Sequence, residues 1–229
     1  MKNTNLLSLP ILFLFAFNIS AQNEEMLHKY HLLKGDAIRV QKVDDLNISG
    51  SPYYNNTFQP AYINFPKYAP LLTMVRYDMV KEEMQVLIDK ENYQVLEDNV
   101  TVKIKDRIFQ KFDFIGFNKE LNIGYFEVLQ EDIKNASALL LRKHSKELNT
   151  NARSQARGFP AKYTEKTEYF LKVGNSSPAV IVHPRLSNFL IAFPYEHRGE
   201  IEDYIKKNKL NHKKEVDLFT IVEYYNSKF

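Results

Sequence analysis

The spacing of apolar residues changes once along this chain, near Pro184, and this change restricts the possible folds more than any other feature. Before Pro184, apolar residues recur at every second position, as in 100–104, which is typical of strands with one buried face. After Pro184 they follow the i, i+3, i+4, i+7 spacing of an amphipathic helix, most clearly in 215–226. Strands followed by helices indicate an α+β fold. We therefore expect a mainly antiparallel β sheet, as a sandwich or half-open barrel, followed by a C-terminal helical segment.

Turn-forming residues divide the alternating region into short segments, and three pairs of these are expected as hairpins: 72–79 with 84–89, 123–130 with 137–144, and 167–173 with 179–183. The change of period then predicts three helices that pack on or beside the sheet. The predicted elements are strands at 61–65, 72–79, 84–89, 93–96, 100–104, 107–115, 123–130, 137–144, 167–173 and 179–183, and helices at 185–192, 200–207 and 215–226.

Two segments do not follow this pattern. Residues 22–49 fit either a helix that ends at Gly35 or the first strand of the sheet. Residues 145–162 are polar, and a long stretch without apolar periodicity predicts a mobile excursion from the sheet.

The first 21 residues match a secretory signal peptide. A charged start at Lys2 precedes an apolar run at 6–17, and the small residue Ala21 lies before Gln22. A membrane-spanning helix needs about 20 apolar residues, so this run is too short to serve as an anchor, and no later run is longer. We expect cleavage after Ala21 and export to the periplasm, with the extracellular space as the alternative.

Composition narrows the chemistry of the exported chain. It contains no cysteine, which excludes disulfides, thiolate nucleophiles, cysteine metal sites and an acylated cysteine at the cleavage site. Stability must therefore come from an apolar core, for which 16 Phe and 14 Tyr supply the material. The chain has 31 basic and 28 acidic residues, and this near balance argues against nucleic acid as a partner.

No motif assigns a catalytic or cofactor site. The chain lacks a GxSxG elbow, a Walker loop, a GxGxxG turn and an HExxH pair, so we predict no catalytic residues, no metal and no cofactor. A hydrolase of unrecognised type remains an alternative, because carboxylates and histidines far apart in sequence can converge in the fold. Its candidate residues are Asp113, Glu127, His144 and His183.

Two polar segments carry the candidate binding residues. Tyr53, Tyr54 and Phe58 lie in a stretch rich in turn formers, where aromatic rings either grip a partner or cap the end of the sheet. Arg153 and Arg157 follow the basic run 142–146 and either attract an anionic surface or are simply solvated. These residues leave open an envelope protein, a lipid or a glycan as the partner.

Several segments together resemble a set of exported proteins of unknown function from Gram-negative bacteria of the Bacteroidota type. The resemblance covers most of 45–227 and implies an exported, sheet-rich domain with a C-terminal helical piece. It supplies no active-site residues. The segments that carry it are GSPYYNNTFQPAYI, VRYDMVKEEMQVLI, GYFEVLQED, SALLLRKH, EYFLKVGNSSPAVI and IEDYIKKNKLNHKKEVDLFTIVEYYNS.

The sequence thus predicts three parts: a signal peptide at 1–21, a β-rich domain at 22–183 and C-terminal helices at 184–229. The expected function is that of a non-enzymatic envelope protein that binds a partner. The alternatives are the hydrolase acting on an envelope polymer and a carrier of a small apolar ligand, and the oligomeric state is not predicted.

Overall fold

The structure is a computed structural model that describes residues 26–27, 31–40, 48–65, 68–97, 100–150, 158 and 160–229. The predicted signal peptide, Arg153 and Arg157 lie outside the described residues. No helix within the described residues is both long and apolar enough to span a membrane.

The described residues form one continuous sheet followed by helices, which confirms the predicted α+β fold. Most strand pairs are antiparallel, and only β2–β11 and β8–β12 are parallel within this part of the chain. The strands are β1 (Leu33–Arg39), β2 (Ile48–Ser49), β3 (Gln59–Asn64), β4 (Leu71–Asp78), β5 (Glu83–Leu87), β6 (Asn92–Leu96), β7 (Thr101–Ile104), β8 (Arg107–Ile115), β9 (Leu121–Val128), β10 (Ala138–Asn149), β11 (Ala161–Val173) and β12 (Ala179–Ile181).

The first part of the sheet, which we call the N-terminal sheet, has the strand order β1-β6-β5-β4-β3-β7 and continues into β8. Its inner face is apolar because alternate residues of each strand point the same way. On β4, Val75 and Tyr77 are buried as the alternation predicts. They pack with Met84, Val86 and Phe109 in one core cluster.

The second part of the sheet closes into a ring. Strands β8, β9, β10, β11 and β12 each pair with the next, and β12 pairs back to β8 through Ala179 and Phe114, which makes a ring of five strands. Phenylalanine side chains fill the ring. Phe126 and Phe170 meet edge to face at 5.1 Å between ring centroids, and Phe114 contacts both at 5.3 Å. Such edge-to-face pairs are a favourable arrangement of aromatic rings.

Three helices follow the ring and cover its outer side: α1 (Leu186–Leu190), α2 (Arg198–Lys207) and α3 (Glu215–Lys228). A short 3₁₀ turn, Tyr195–His197, leads into α2. The buried face of α3 packs on Leu140 and Leu171 of the ring. Its side chain Asn226 fixes the register, since its amide accepts from the backbone N–H of Ala138 at 2.7 Å and donates to the carbonyl of Ala138 at 2.9 Å.

For the two irregular segments, the structure selects the strand alternative at 33–39 and corrects the expected length of the polar excursion. Gly35 does not end a helix: it lies within β1, with φ of +64°, where the pairing with β6 shifts register between Lys34 and Ile38. The polar stretch is also shorter than predicted, because β10 and β11 remain paired out to Asn149 and Lys162. This hairpin arm, residues 143–149 and 161–168, is held by backbone hydrogen bonds more than by a core, so its sequence lacks the apolar alternation of a strand.

Candidate functional site

A large cleft lies where the N-terminal sheet meets the ends of the ring. Its volume is about 950 Å³, at the upper end of the range of about 300–1,000 Å³ typical of ligand sites. The ends of β3, β7 and β8 form one wall, and the turns after β9 and β11 form the other. The lining residues that carry the argument are Phe65, Tyr68, Lys103, Gln110, Glu131 and Lys134.

One wall of the cleft combines an aromatic platform with hydrogen-bonding groups. Phe65 is buried and supports the half-exposed ring of Tyr68 at 5.1 Å between centroids. Thr101 and Gln110 face each other across β7 and β8, and the Thr101 hydroxyl donates to the Gln110 carbonyl oxygen at 3.2 Å. The amide nitrogen of Gln110 is then a donor available to a ligand.

The charges of the cleft balance. Lys103 and Lys134 are basic, while Glu131 and Asp132 are acidic, and all four are exposed. The Asn135 amide donates to Asp132 at 2.8 Å and holds the pKa of that carboxyl below its usual range, so Asp132 stays ionised. A lining with equal numbers of both signs favours a ligand without net charge.

Two of the predicted binding residues enclose an arginine instead of lining this cleft. The guanidinium of Arg76 lies 3.6 Å from the Tyr53 ring centroid and 4.4 Å from that of Phe58. Gln85 accepts from its Nε at 3.0 Å and its Nη2 at 2.7 Å. Burial lowers the pKa of Arg76, and the ring faces and the amide oxygen compensate its charge.

The loop that carries these rings is fixed to the end of β4. The N–H of Met79 donates to the Pro52 carbonyl at 3.0 Å, and that of Tyr54 donates to the Tyr77 carbonyl at 2.9 Å. As a result Arg76 and Asp78 are both only 3 % exposed, although they lie on the outer face of the sheet. The predicted loop thus covers one end of the sheet.

Tyr54, the third predicted aromatic residue, joins a buried ionic cluster centred on Glu127. Its hydroxyl accepts from Arg107, and its ring contacts His144 at 5.0 Å and Phe109 at 5.4 Å between centroids. Burial raises the pKa of Tyr54, so its hydroxyl keeps its proton at neutral pH.

The Glu127 cluster saturates its carboxylate. Arg142 binds it through two hydrogen bonds, from Nε at 3.0 Å and Nη2 at 2.6 Å, and His144 Nε2 lies 2.7 Å from Oε2. Arg107 adds a second guanidinium at 3.5 Å. Burial by itself would raise the pKa of Glu127, but the hydrogen bonds from His144 and Arg142 outweigh it and hold the pKa at about 2.

The same arginine connects the sheet to the last helix. Arg142 Nη1 donates to Glu215 at 2.6 Å, and the Tyr169 hydroxyl donates to the same oxygen. Glu215 begins α3, where a negative charge also interacts favourably with the helix dipole. The cluster therefore joins β9, β10, β11 and α3.

The four hydrolase candidates converge only in part. Glu127 and His144 are in contact, but both are at least nine-tenths buried and neither lines the cleft. His183 lies in a second, smaller cavity of about 290 Å³, where its Nδ1 accepts from the backbone N–H of Arg185. Asp113 is exposed on β8. The fold thus brings together two of the four, away from an open cleft.

A second ion pair, which the sequence does not single out, closes the gap where β9 diverges from β10. Lys143 Nζ lies 2.5 Å from Glu82, and Glu82 also accepts from the Tyr77 hydroxyl at 2.9 Å and the Tyr125 N–H at 3.0 Å. A Cβ at Gly124 would lie 2.7 Å from Lys143 Nζ. The absence of a side chain at Gly124 therefore makes room for the pair.

Sequence reasoning misses the cleft because its walls come from four separate segments, each ordinary by itself. Within the part of the chain that the structure describes, no group of three or more His, Asp or Glu side chains is placed to hold a metal ion. Comparison with family models, with curated proteins and with solved structures gives no match to this chain.

Proposed function

We propose that this chain is an exported, non-enzymatic binding module of the cell envelope, and that the cleft between the N-terminal sheet and the ring holds a segment of an uncharged glycan. The observation that carries the proposal is the lining of the cleft. It combines an exposed tyrosine ring with amide groups and balanced charges in a volume of about 950 Å³.

The chemistry of a neutral sugar matches this lining. The ring of Tyr68 is half exposed and can stack on the apolar face of a sugar, while the amides of Asn64, Gln110 and Asn175 can exchange hydrogen bonds with hydroxyl groups. A lipid would require a larger continuous apolar surface, and an anionic polymer would require an excess of basic residues.

Isothermal calorimetry against a panel of neutral oligosaccharides tests the proposal. We expect binding that is weakened at least tenfold by Tyr68→Ala and by Gln110→Ala. Tyr195→Ala is the matched control, because Tyr195 is an aromatic residue with 84 % exposure that does not line the cleft. Absence of binding to every probe, or equal losses in the control, would contradict a glycan site in the cleft.

One observation favours the hydrolase alternative, namely the 2.7 Å contact between Glu127 and His144. Against it, the carboxylate is already bound by two arginines and the pair is buried away from the cleft. Incubating the same oligosaccharides with the chain should leave them intact by chromatography. Cleavage that His144→Gln abolishes would establish the alternative.

The carrier alternative requires an empty apolar interior. The ring is filled by Phe112, Phe114, Phe126 and Phe170 together with Leu139 and Leu141, and this packing counts against a ligand there.

Export is supported by the predicted signal peptide and by the resemblance to exported proteins of Bacteroidota-type bacteria. N-terminal sequencing of protein recovered from the periplasm should begin at Gln22. A mature chain that begins at Met1 and stays in the cytoplasm would contradict this part of the proposal.

A further inference from the structure

One edge of the ring is open beside exposed apolar side chains. Strand β9 pairs with β8 along its whole length but with β10 only through Glu127 and Val128, so its other edge has no strand partner from Leu121 to Phe126 among the described residues. Leu121 and Ile123 on this edge are 67 % and 55 % exposed. An exposed edge with apolar side chains is the usual template for pairing with another strand.

The hydrogen bond of the Tyr125 N–H shows which residues of β9 direct their backbone N–H and C=O groups away from β8. The Tyr125 N–H donates to Glu82 and therefore points away from β8. In an antiparallel pair the residues alternate between those bonded to the neighbouring strand and those whose N–H and C=O point outward. Leu121 and Ile123 have the same parity as Tyr125, so their backbone groups point outward, whereas those of Asn122 and Gly124 bond to β8.

We propose that this edge, residues 121–123, pairs with the same edge of a second copy of the chain. When two such strands run antiparallel about Asn122, Leu121 of one copy lies opposite Ile123 of the other. Both residues have outward-pointing groups, so the two strands exchange four backbone hydrogen bonds. A register centred on Leu121 would place Ile123 opposite Lys119 in the turn, and one centred on Ile123 would place Leu121 opposite Tyr125, whose N–H already donates to Glu82.

The exposed apolar side chains also favour a second copy, because this register brings Leu121 and Ile123, which are 67 % and 55 % exposed, into two contacts per dimer. It places Glu120 of one copy opposite Gly124 of the other, beside the Lys143–Glu82 ion pair that is already formed within each copy. The pairing is limited at both ends, because the Tyr125 N–H already donates to Glu82 and the turn at 116–120 precedes the strand. So short a pairing makes the association concentration-dependent.

The chain contains no native cysteine, and this permits a direct test by disulfide cross-linking. In the proposed register Asn122 lies opposite itself, at a Cα separation of about 4.5–5.5 Å, which a disulfide can bridge. The full chain carrying Asn122→Cys, expressed in cells and purified after any cleavage that occurs there, should form a disulfide-linked dimer upon mild oxidation. Ser176→Cys, at another exposed turn, is the matched control. Equal rates of cross-linking for the two variants would overturn the proposal.

Analytical ultracentrifugation provides a second measurement. The mass of the unmodified chain should double as concentration rises. Ile123→Pro removes one outward N–H without removing a bond to β8, and Leu121→Lys places a charge in the pair; both should stay monomeric with unchanged circular dichroism. Met74→Thr, on another exposed apolar patch, should still dimerise. A chain that is monomeric up to its solubility limit, or a dimer insensitive to both variants, would overturn the proposal.

The edge and the cleft share no residue, so the two proposals can fail independently.

Discussion

The Glu127 cluster and the cleft are both rich in polar and charged side chains, yet they differ in whether those groups already have partners. Glu127 is 4 % exposed and is bound by Arg142, His144 and Arg107. Lys103, Glu131 and Lys134 of the cleft are exposed to solvent. A buried carboxylate whose partners are already in place belongs to the fold, whereas groups that still face water are those that a ligand can use.

The largest effect on stability should come from breaking the saturated cluster. Glu127→Gln keeps the shape of the side chain but leaves Arg142 and Arg107 without their shared counter-charge. Removing one member of a buried ion pair costs about 3–5 kcal/mol, and we expect the lower end because Glu215 still binds Arg142. Urea unfolding measures the change.

The matched substitution in the cleft is Asp132→Asn. Asp132 is fully exposed, so its loss should change the free energy of unfolding much less than Glu127→Gln. Similar losses for the two variants would remove the distinction between the cluster and the cleft.

Acid should reveal the same cluster in the unmodified chain. The pKa of Glu127 is lowered from 4.5 to about 2, so the folded state favours the ionised carboxylate. Its contribution is complete above pH 4.5 and is lost as the pH falls towards 2. The difference in pKa corresponds to at most about 3 kcal/mol.

Urea titrations at several pH values in this window provide the measurement. Glu127→Gln should have a shallower dependence of stability on pH between 4.5 and 2, whereas Asp132→Asn should keep most of it. An unchanged slope in Glu127→Gln would show that other carboxylates control the acid response.

A smaller loss is expected at the second saturated pair. In Gly124→Ala the new methyl group would meet Lys143 Nζ at 2.7 Å and the Phe114 ring at 3.3 Å. The end of a lysine can move, so we expect a loss of about 1 kcal/mol, seen as a lower melting temperature.

Gly199→Ala is the control, for which we expect an increase in stability instead of a loss. Gly199 lies in α2 and nothing lies within 4 Å of its added Cβ, so alanine should stabilise the helix by about 0.5–1 kcal/mol. If both alanine variants raised the melting temperature, the close packing around Lys143 would not matter for stability.

The smallest effect on stability should come from the cleft itself. Tyr68→Ala and Lys103→Ala change exposed side chains, for which about ±0.5 kcal/mol is typical. Thermal unfolding followed by circular dichroism checks this. A loss above about 2 kcal/mol would mean that the cleft is part of the structural core, which would weaken the proposal of a ligand site.

Much of the local structure was predictable. The alternation at 107–115 gave the bounds of β8, and the helical spacing at 215–226 matched α3 (Glu215–Lys228) to within two residues. The predicted hairpin of 72–79 with 84–89 also formed, as β4 and β5, since neighbouring strands with a short turn pair locally. The strands of the hairpin arm extend further than predicted. Their residues are mostly polar, so they lack the apolar alternation by which a strand is recognised in a sequence.

The candidate site was much less predictable. Glu127 and Arg142 are 15 residues apart and meet only because β9 and β10 pair at that register. Tyr53 and Phe58 were predicted as aromatic residues of a loop, but the arginine between them could not be, because Arg76 looked like an outward residue of an ordinary strand. The residues of the cleft lie in segments that have no shared pattern.

The sequence by itself determined the class of fold, the places of most strands and helices, and the absence of disulfides, because these depend on residue type and on spacing over a few positions. The tertiary structure alone decided that five strands close into a ring, that Glu127 is saturated, and that a cleft and an open β9 edge remain. Those features depend on distant backbone pairings, such as that of Ala179 with Phe114, and on which charges these pairings bury. No local pattern of residues encodes either.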